Sequence, residues 1–105
     1  AVLTIALIES EAGVANAAEI AAVPGLDMLW LGHFDLSDSL GIPGRFDDPR
    51  YRAAAARLRD AARAAQKPIG WLATDAAAAS AALSAGFRCL CIGHEVVVLR
   101  EALSA

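Results

Sequence analysis

Two carboxylates carry the most chemical promise in this 105-residue chain. Glu9 closes an apolar run at 3–8, and Asp35 follows a second run at 28–31 after a Gly32-His33-Phe34 step. If both runs are neighbouring strands, the two acids meet at one strand mouth. Paired carboxylates with no cysteine or second histidine beside them suit a hard cation held by oxygen. Such an ion keeps positions open for water and substrate oxygens, and acts as a Lewis acid on a carbonyl. The same spacing also suits two acids that cap the helices after their strands, and spacing leaves both readings open. His33 reads as an exposed loop histidine rather than an acid–base group. Cys89 and Cys91 are two apart, so a strand puts them on one face. Zinc would need two further ligands at suitable spacing, which favours buried, reduced, structural thiols in a cytoplasmic protein.

Apolar runs of strand length alternate with alanine-rich helical patterns. The first strand (3–8) leads to a helix over about 11–22, capped by Ser10 and stopped by Val23-Pro24-Gly25. The second strand (28–31) opens into a loop with a short helical turn over about 35–46. Asp48 as N-cap and Pro49 in the first turn start the clearest helix. Its apolar seam is Tyr51, Ala55, Leu58, Ala62 and Ala65, with Arg52, Arg59 and Arg63 on the solvated side. A third strand (68–73), a helix capped by Asp75 and ended by Gly86, a fourth strand (88–92) and a helix at 95–103 complete the pattern. Continuously apolar strands each followed by a helix predict an α/β fold with a parallel sheet, four β-α units in all. Trp30 and Trp71 fit the sheet core. Glu9, the 32–35 turn, Thr74-Asp75 and Gly93-His94 all fall just past strand ends, the edge where such folds bind ligands. Four units make either a small open sheet or half of an eight-stranded barrel.

Composition removes other classes. The chain is 57 % hydrophobic, although 26 alanines inflate that figure. Leu, Ile, Val and Phe still number 28, too many for a disordered segment. A net charge of -3 offers no electrostatic footprint for nucleic acid. No apolar run reaches the roughly 18–20 residues that span a bilayer. The opening 1–8 lacks a basic flank and does not read as a signal peptide, and the missing initiator Met leads us to expect further residues upstream.

The stretch from Trp30 to Gly44 resembles the metal-dependent (class II) pyruvate aldolases, the 4-hydroxy-2-oxoheptanedioate and 2-keto-3-deoxy-sugar-acid aldolases related to citrate lyase β subunits. The family pattern Gly-x-x-Asp-Leu-Ser/Thr-x-Ser-Leu/Met-Gly is met at Gly32, Asp35, Leu36, Ser37, Ser39, Leu40 and Gly41. Leu7-Ile8-Glu9, Asn16, Ile20, Ala22-Val23-Pro24-Gly25, Asp27, Asp48-Pro49, Lys67-Pro68, Gly86-Phe87 and Ile92-Gly93 extend the likeness over the whole chain.

The resemblance implies a (β/α)4 half of a TIM barrel. It also implies that Glu9 and Asp35 hold a divalent ion (Mg²⁺, Mn²⁺ or Co²⁺) that chelates the keto and carboxylate oxygens of a 2-oxo acid. In that scheme Gly32 shapes the turn, and the backbone N–H groups of Phe34 and Asp35 hold the pyruvate carboxylate. Retro-aldol cleavage of a 4-hydroxy-2-oxo acid then gives pyruvate and an aldehyde. The chain departs from the pattern in three ways. Leu7 stands where many members carry a substrate-binding Gln. His33-Phe34 replaces a common Pro-Ala pair. The family's general-base His and clamping Arg belong to the other half of the barrel, so these residues alone are expected to be incomplete. Expected partners are therefore an N-terminal half-barrel or further copies of the chain, with no nucleic acid and no membrane. The alternatives are a citrate- or malyl-CoA-type carbon–carbon lyase and a non-catalytic half-barrel module.

Overall fold

The computed structural model describes residues 1–104. Four strands, β1 (Ile5–Ile8), β2 (Met28–Leu31), β3 (Ile69–Ala73) and β4 (Cys89–Ile92), form one sheet in sequential order. All three pairings are parallel, with Leu7 opposite Trp30 and Trp30 opposite Gly70. The helices are α1 (Glu11–Ala15), α2 (Ala17–Ala21), α3 (His33–Ser39), α4 (Pro49–Ala64), α5 (Ala76–Ser84) and α6 (Glu95–Ser104). This is the expected α/β arrangement of four consecutive β-α units. No helix among the described residues is long and apolar enough to cross a membrane.

Each strand has two unlike faces, because successive side chains alternate. Ile8, Leu29, Leu31, Ile69 and Ala73 turn one face into the core, where Leu36, Ile42 and Leu58 are fully buried against them. The long helix α4 packs on α2 and β2 through the anticipated seam of Tyr51, Ala55, Leu58 and Ala62. Ala65, the last member of that seam, is half-buried beyond the helix end. The other sheet face carries Leu7, Trp30 and Gly70 side by side. A Cβ on Gly70 would collide with the Trp30 ring, so a glycine is what lets that indole lie across β3. Ile5 and Leu7 on this face stay exposed.

The caps follow the sequence. Ser10 Oγ accepts from Gly13 N (3.0 Å), Asp48 Oδ1 from Arg50 N (2.9 Å) and Asp75 Oδ1 from Ala78 N (2.8 Å). Gly86, at φ 102°, ends α5 in a conformation that favours glycine.

Four expectations need correction. The helix expected over 11–22 breaks at Asn16, whose side chain donates to Ala12 O (3.0 Å) and whose backbone leaves the helical region. Short polar side chains that bond nearby backbone compete with the helix in this way. The segment after β2 is not mainly loop, since α3 begins directly at His33. Cys89 is half-buried and Cys91 exposed, not buried thiols, because β4 is the sheet's last strand and its Cys91 end lies open. Trp30 and Trp71 are only half-buried: Trp71 packs against the edge of the core, while Trp30 lies on the other sheet face.

Candidate active site at the strand ends

The site is built by the β1 and β2 C-termini and the first turn of α3. Gly32 N donates to Ile8 O (3.0 Å), which carries the parallel pairing one step past β2 and sets Gly32 beside Glu9. A Cβ on Gly32 would stand 2.7 Å from Glu9 Cβ and 3.1 Å from Glu9 Oε2. Only a residue without a side chain lets the Glu9 carboxylate cross toward α3.

Asp35 sits in the first turn of α3, where the helix brings it to Glu9. A side-chain hydrogen bond with Asp35 raises the Glu9 pKa above its ordinary value, with partial desolvation and the Asp35 charge adding to it. The two sequence-selected acids are therefore in contact. With Leu7, Trp30, Gly32, His33, Phe34 and Leu72 they line a cleft of about 180 Å³ that has no Arg or Lys in its wall. Two carboxylates pressed together without a cationic side chain share a proton or take up a cation. No cluster of three or more His, Cys, Asp and Glu side chains suited to a metal occurs among the described residues. The donor set is thus two hard oxygens' worth of protein ligands, which suits a Mg²⁺-like ion that completes its shell with water and substrate.

The helix start adds a second feature. Gly32 is the N-cap residue of α3 and has no side chain with which to cap it. The first intrahelical bond runs from Leu36 N to Gly32 O (2.9 Å). The amides of Phe34 and Asp35 precede it and belong to the turn whose donors a helix leaves unmatched. Phe34 and Asp35 line the same cleft as Glu9.

The motif serines have structural work. Ser37, fully buried, donates to Phe34 O (2.7 Å) and accepts from Gly44 N (3.0 Å), locking α3 to the following loop. Ser39 Oγ accepts from Glu11 N (2.9 Å), tying the end of α3 to the start of α1. The Ser39 bond ties α3, and Asp35 with it, to the segment just after Glu9.

His33 is not the exposed loop residue that the sequence suggested. It is 5 % exposed, in an aromatic group with Phe34 (4.3 Å between ring centroids), Phe46 (5.1 Å) and Trp71 (5.5 Å). Burial lowers its pKa, which holds the imidazole neutral. The local cue was absent because Phe46 and Trp71 lie far along the chain. Leu7 is exposed at the cleft wall, where it presents methyl groups and no hydrogen bond.

Known proteins share this architecture. A hydroxypyruvate/pyruvate aldolase from Chromohalobacter salexigens is 39 % identical over 98 residues, which is 93 % of this chain and 39 % of that protein. A 2-keto-3-deoxy-L-rhamnonate aldolase from Salmonella paratyphi B is 33 % identical over 98 residues, 93 % of this chain and 37 % of that protein. Among solved structures, an aldolase/citrate lyase family protein from Burkholderia cenocepacia superposes with a TM-score of 0.93 at 37 % identity, covering 98 % of this chain and 40 % of that one. The citrate synthase SbnG superposes at 0.88 with 29 % identity over 97 % of this chain and 42 % of that one. The chain thus spans about two fifths of the length of the relatives it matches. The family profile described as HpcH/HpaI aldolase/citrate lyase matches residues 1–102, and the chain belongs to that family.

Proposed function

We propose that these residues form the metal-holding part of a lyase that cleaves 4-hydroxy-2-oxo acids to pyruvate and an aldehyde. The observation that carries this reading is the Glu9–Asp35 contact in a cleft with no basic side chain. Glu9 and Asp35 are the residues that would hold Mg²⁺, Mn²⁺ or Co²⁺. When bound, the ion supplies Lewis-acid polarisation of the 2-oxo group. The Phe34 and Asp35 amides orient the adjoining carboxylate as a small anion nest. Leu7, Trp30 and Leu72 wall the cleft with apolar surface.

Cleavage also needs a base for the C4 hydroxyl proton, while the C3–C4 electron pair passes to the pyruvate half. We do not assign that role to His33, which is buried and packed among the rings of Phe34, Phe46 and Trp71. The residues of this chain alone should therefore bind metal and 2-oxo acid but turn over poorly. Loss of a positioned base costs about 10²–10⁴-fold in rate.

The exposed Ile5 and Leu7 face, and the apolar row Val96, Leu99 and Leu103 on α6, call for a complementary half-barrel or further copies of the chain. A monodisperse monomer in light scattering that binds no apolar dye would count against such a partner. We place the reaction in the cytoplasm, where the free thiols of Cys89 and Cys91 stay reduced.

The deciding experiment couples pyruvate release to a dehydrogenase, for these residues alone and for the intact protein, with and without EDTA. The reading expects activity in the intact protein only, abolished by chelator. EDTA-resistant cleavage would point to a Schiff base instead. The likeness to the citrate synthase SbnG favours a second reading, citrate-type carbon–carbon chemistry, and release of oxaloacetate from citrate, read with malate dehydrogenase, would select it.

A further inference from the structure

Two cavities adjoin along α4 and α5, the first of them at the end of the sheet opposite to Glu9 and Asp35. One, of about 380 Å³, lies below β3 between the C-terminal ends of α4 and α5, and is lined by Arg59, Arg63, Gln66, Lys67 and Arg88. No Asp or Glu lines it. The other, of about 470 Å³, is an apolar cleft between α4 and α5 walled by Leu31, Tyr51, Trp71, Ala78, Ala82 and Phe87. Arg59 and Ala85 border both.

The clustering of cations is not explained by the fold. The sole ion pair among the described residues is Arg50 with Asp48, although acids outnumber bases 12 to 9. Lys67 Nζ is engaged with Val23 O (2.7 Å), but the guanidiniums of Arg59, Arg63 and Arg88 have no acceptor among the described residues. Helix ends attract basic side chains because their last carbonyls lack partners. Here those carbonyls are already matched by backbone amides: Ala61, Ala62 and Arg63 O by Ala65, Lys67 and Gln66 N, and Ala82 and Leu83 O by Phe87 and Gly86 N. Three guanidiniums therefore border one hollow with no acceptor among the described residues.

The cleft has its own unmet need. The indole Nε1 of Trp71 is buried and has no hydrogen-bond partner, a state that costs free energy unless something supplies an acceptor. The small side chains of Ala78 and Ala82 on α5 leave the space open beside Tyr51 and Phe87. A cavity of this size, mostly apolar with a few placed polar groups at one end, has the form of a small-molecule site.

We infer that this paired cavity binds an organic phosphate, with the phosphate among Arg59, Arg63 and Arg88 and the apolar or aromatic body between α4 and α5. Three guanidiniums around one hollow suit a multiply charged anion with several oxygens to pair, which favours this headgroup over a single carboxylate. The cation-lined cavity lies at the far edge of the sheet from the metal cleft and shares no lining residue with it, whereas the apolar cleft meets that cleft's wall at Leu31.

The test is calorimetric titration of the intact protein with inorganic pyrophosphate, ADP and octyl phosphate, the last two distinguishing a nucleotide from an alkyl body. The organic phosphates should bind saturably, and at least one should bind about tenfold more tightly than pyrophosphate. Arg63→Gln with Arg88→Gln should weaken all binding by about tenfold or more while circular dichroism stays unchanged. Ala81→Trp places a ring over the cleft from an exposed position. It should weaken the organic phosphates and leave pyrophosphate unaffected. Glu9→Ala should change none of these affinities. Absence of saturable binding, equal affinity for pyrophosphate and both organic ligands, or full binding by the double arginine variant would overturn the assignment. If the double variant fails to fold, the Ala81→Trp comparison decides alone.

Discussion

Gly32 stands so close to Glu9 that one added methyl would meet Glu9 Cβ at 2.7 Å. The glycine has φ -86°, which any residue adopts, so its backbone conformation is not what requires it. The requirement is space for the carboxylate that reaches Asp35.

Gly32→Ala should therefore leave the fold intact and displace Glu9. In thermal melts, Mn²⁺ raises the midpoint of the unmodified protein, because a ligand that binds only the folded state stabilises it. That rise should vanish in Gly32→Ala, in Glu9→Ala and in Asp35→Ala. An unchanged melting curve for the unmodified protein on adding Mn²⁺ or Mg²⁺ would sink the metal site.

His33→Phe separates packing from catalysis. The ring sits among Phe34, Phe46 and Trp71, so a phenyl group fills the same volume without the cost of burying an imidazole. We expect stability retained or improved, Mn²⁺ stabilisation unchanged and pyruvate release by the intact protein within a few-fold of normal. A loss of two or more orders of magnitude in rate, with folding intact, would make His33 the base.

Leu58→Ala probes the seam beneath β2. Leu58 is fully buried in the α4 interface, and truncating such a leucine costs about 2–5 kcal/mol through lost burial and the cavity left behind. Urea denaturation should show that loss. By contrast, Ala56→Ser, at a half-buried α4 position outside the seam, should cost less than about 1 kcal/mol.

Asp48 sets a pH dependence of the α4 start. Its side chain bonds the Arg50 guanidinium and the Arg50 amide, which hold its pKa below the ordinary 3.8. A carboxyl with a lowered folded pKa contributes stability that is full above its unfolded pKa and is lost as pH falls through the folded value. The melting-temperature gap between the unmodified protein and Asp48→Asn should thus be constant at neutral pH and close below pH 3.8. A gap that persists at pH 2 would mean the charge is irrelevant to the cap.

The sequence by itself determined the element order, the parallel architecture and the two carboxylates. These are local properties: apolar runs of strand length, caps at Ser10, Asp48 and Asp75, and a Gly-x-x-Asp turn directly after a strand. The tertiary structure decided what those residues meet. Whether Glu9 and Asp35 capped separate helices or shared a site depended on the β1–β2 register and on the missing Gly32 side chain. The burial of His33 depended on Phe46 and Trp71, 13 and 38 positions away. The exposure of Cys91 depended on β4 being the last strand. The arginines that read as a solvated face, Arg59 and Arg63, gather with Arg88 at one hollow because α4 and α5 end at the same edge of the sheet. Periodicity reports which side of its own element a residue occupies. It cannot report which distant side chain is brought to that side, since that contact is set by strand order and packing.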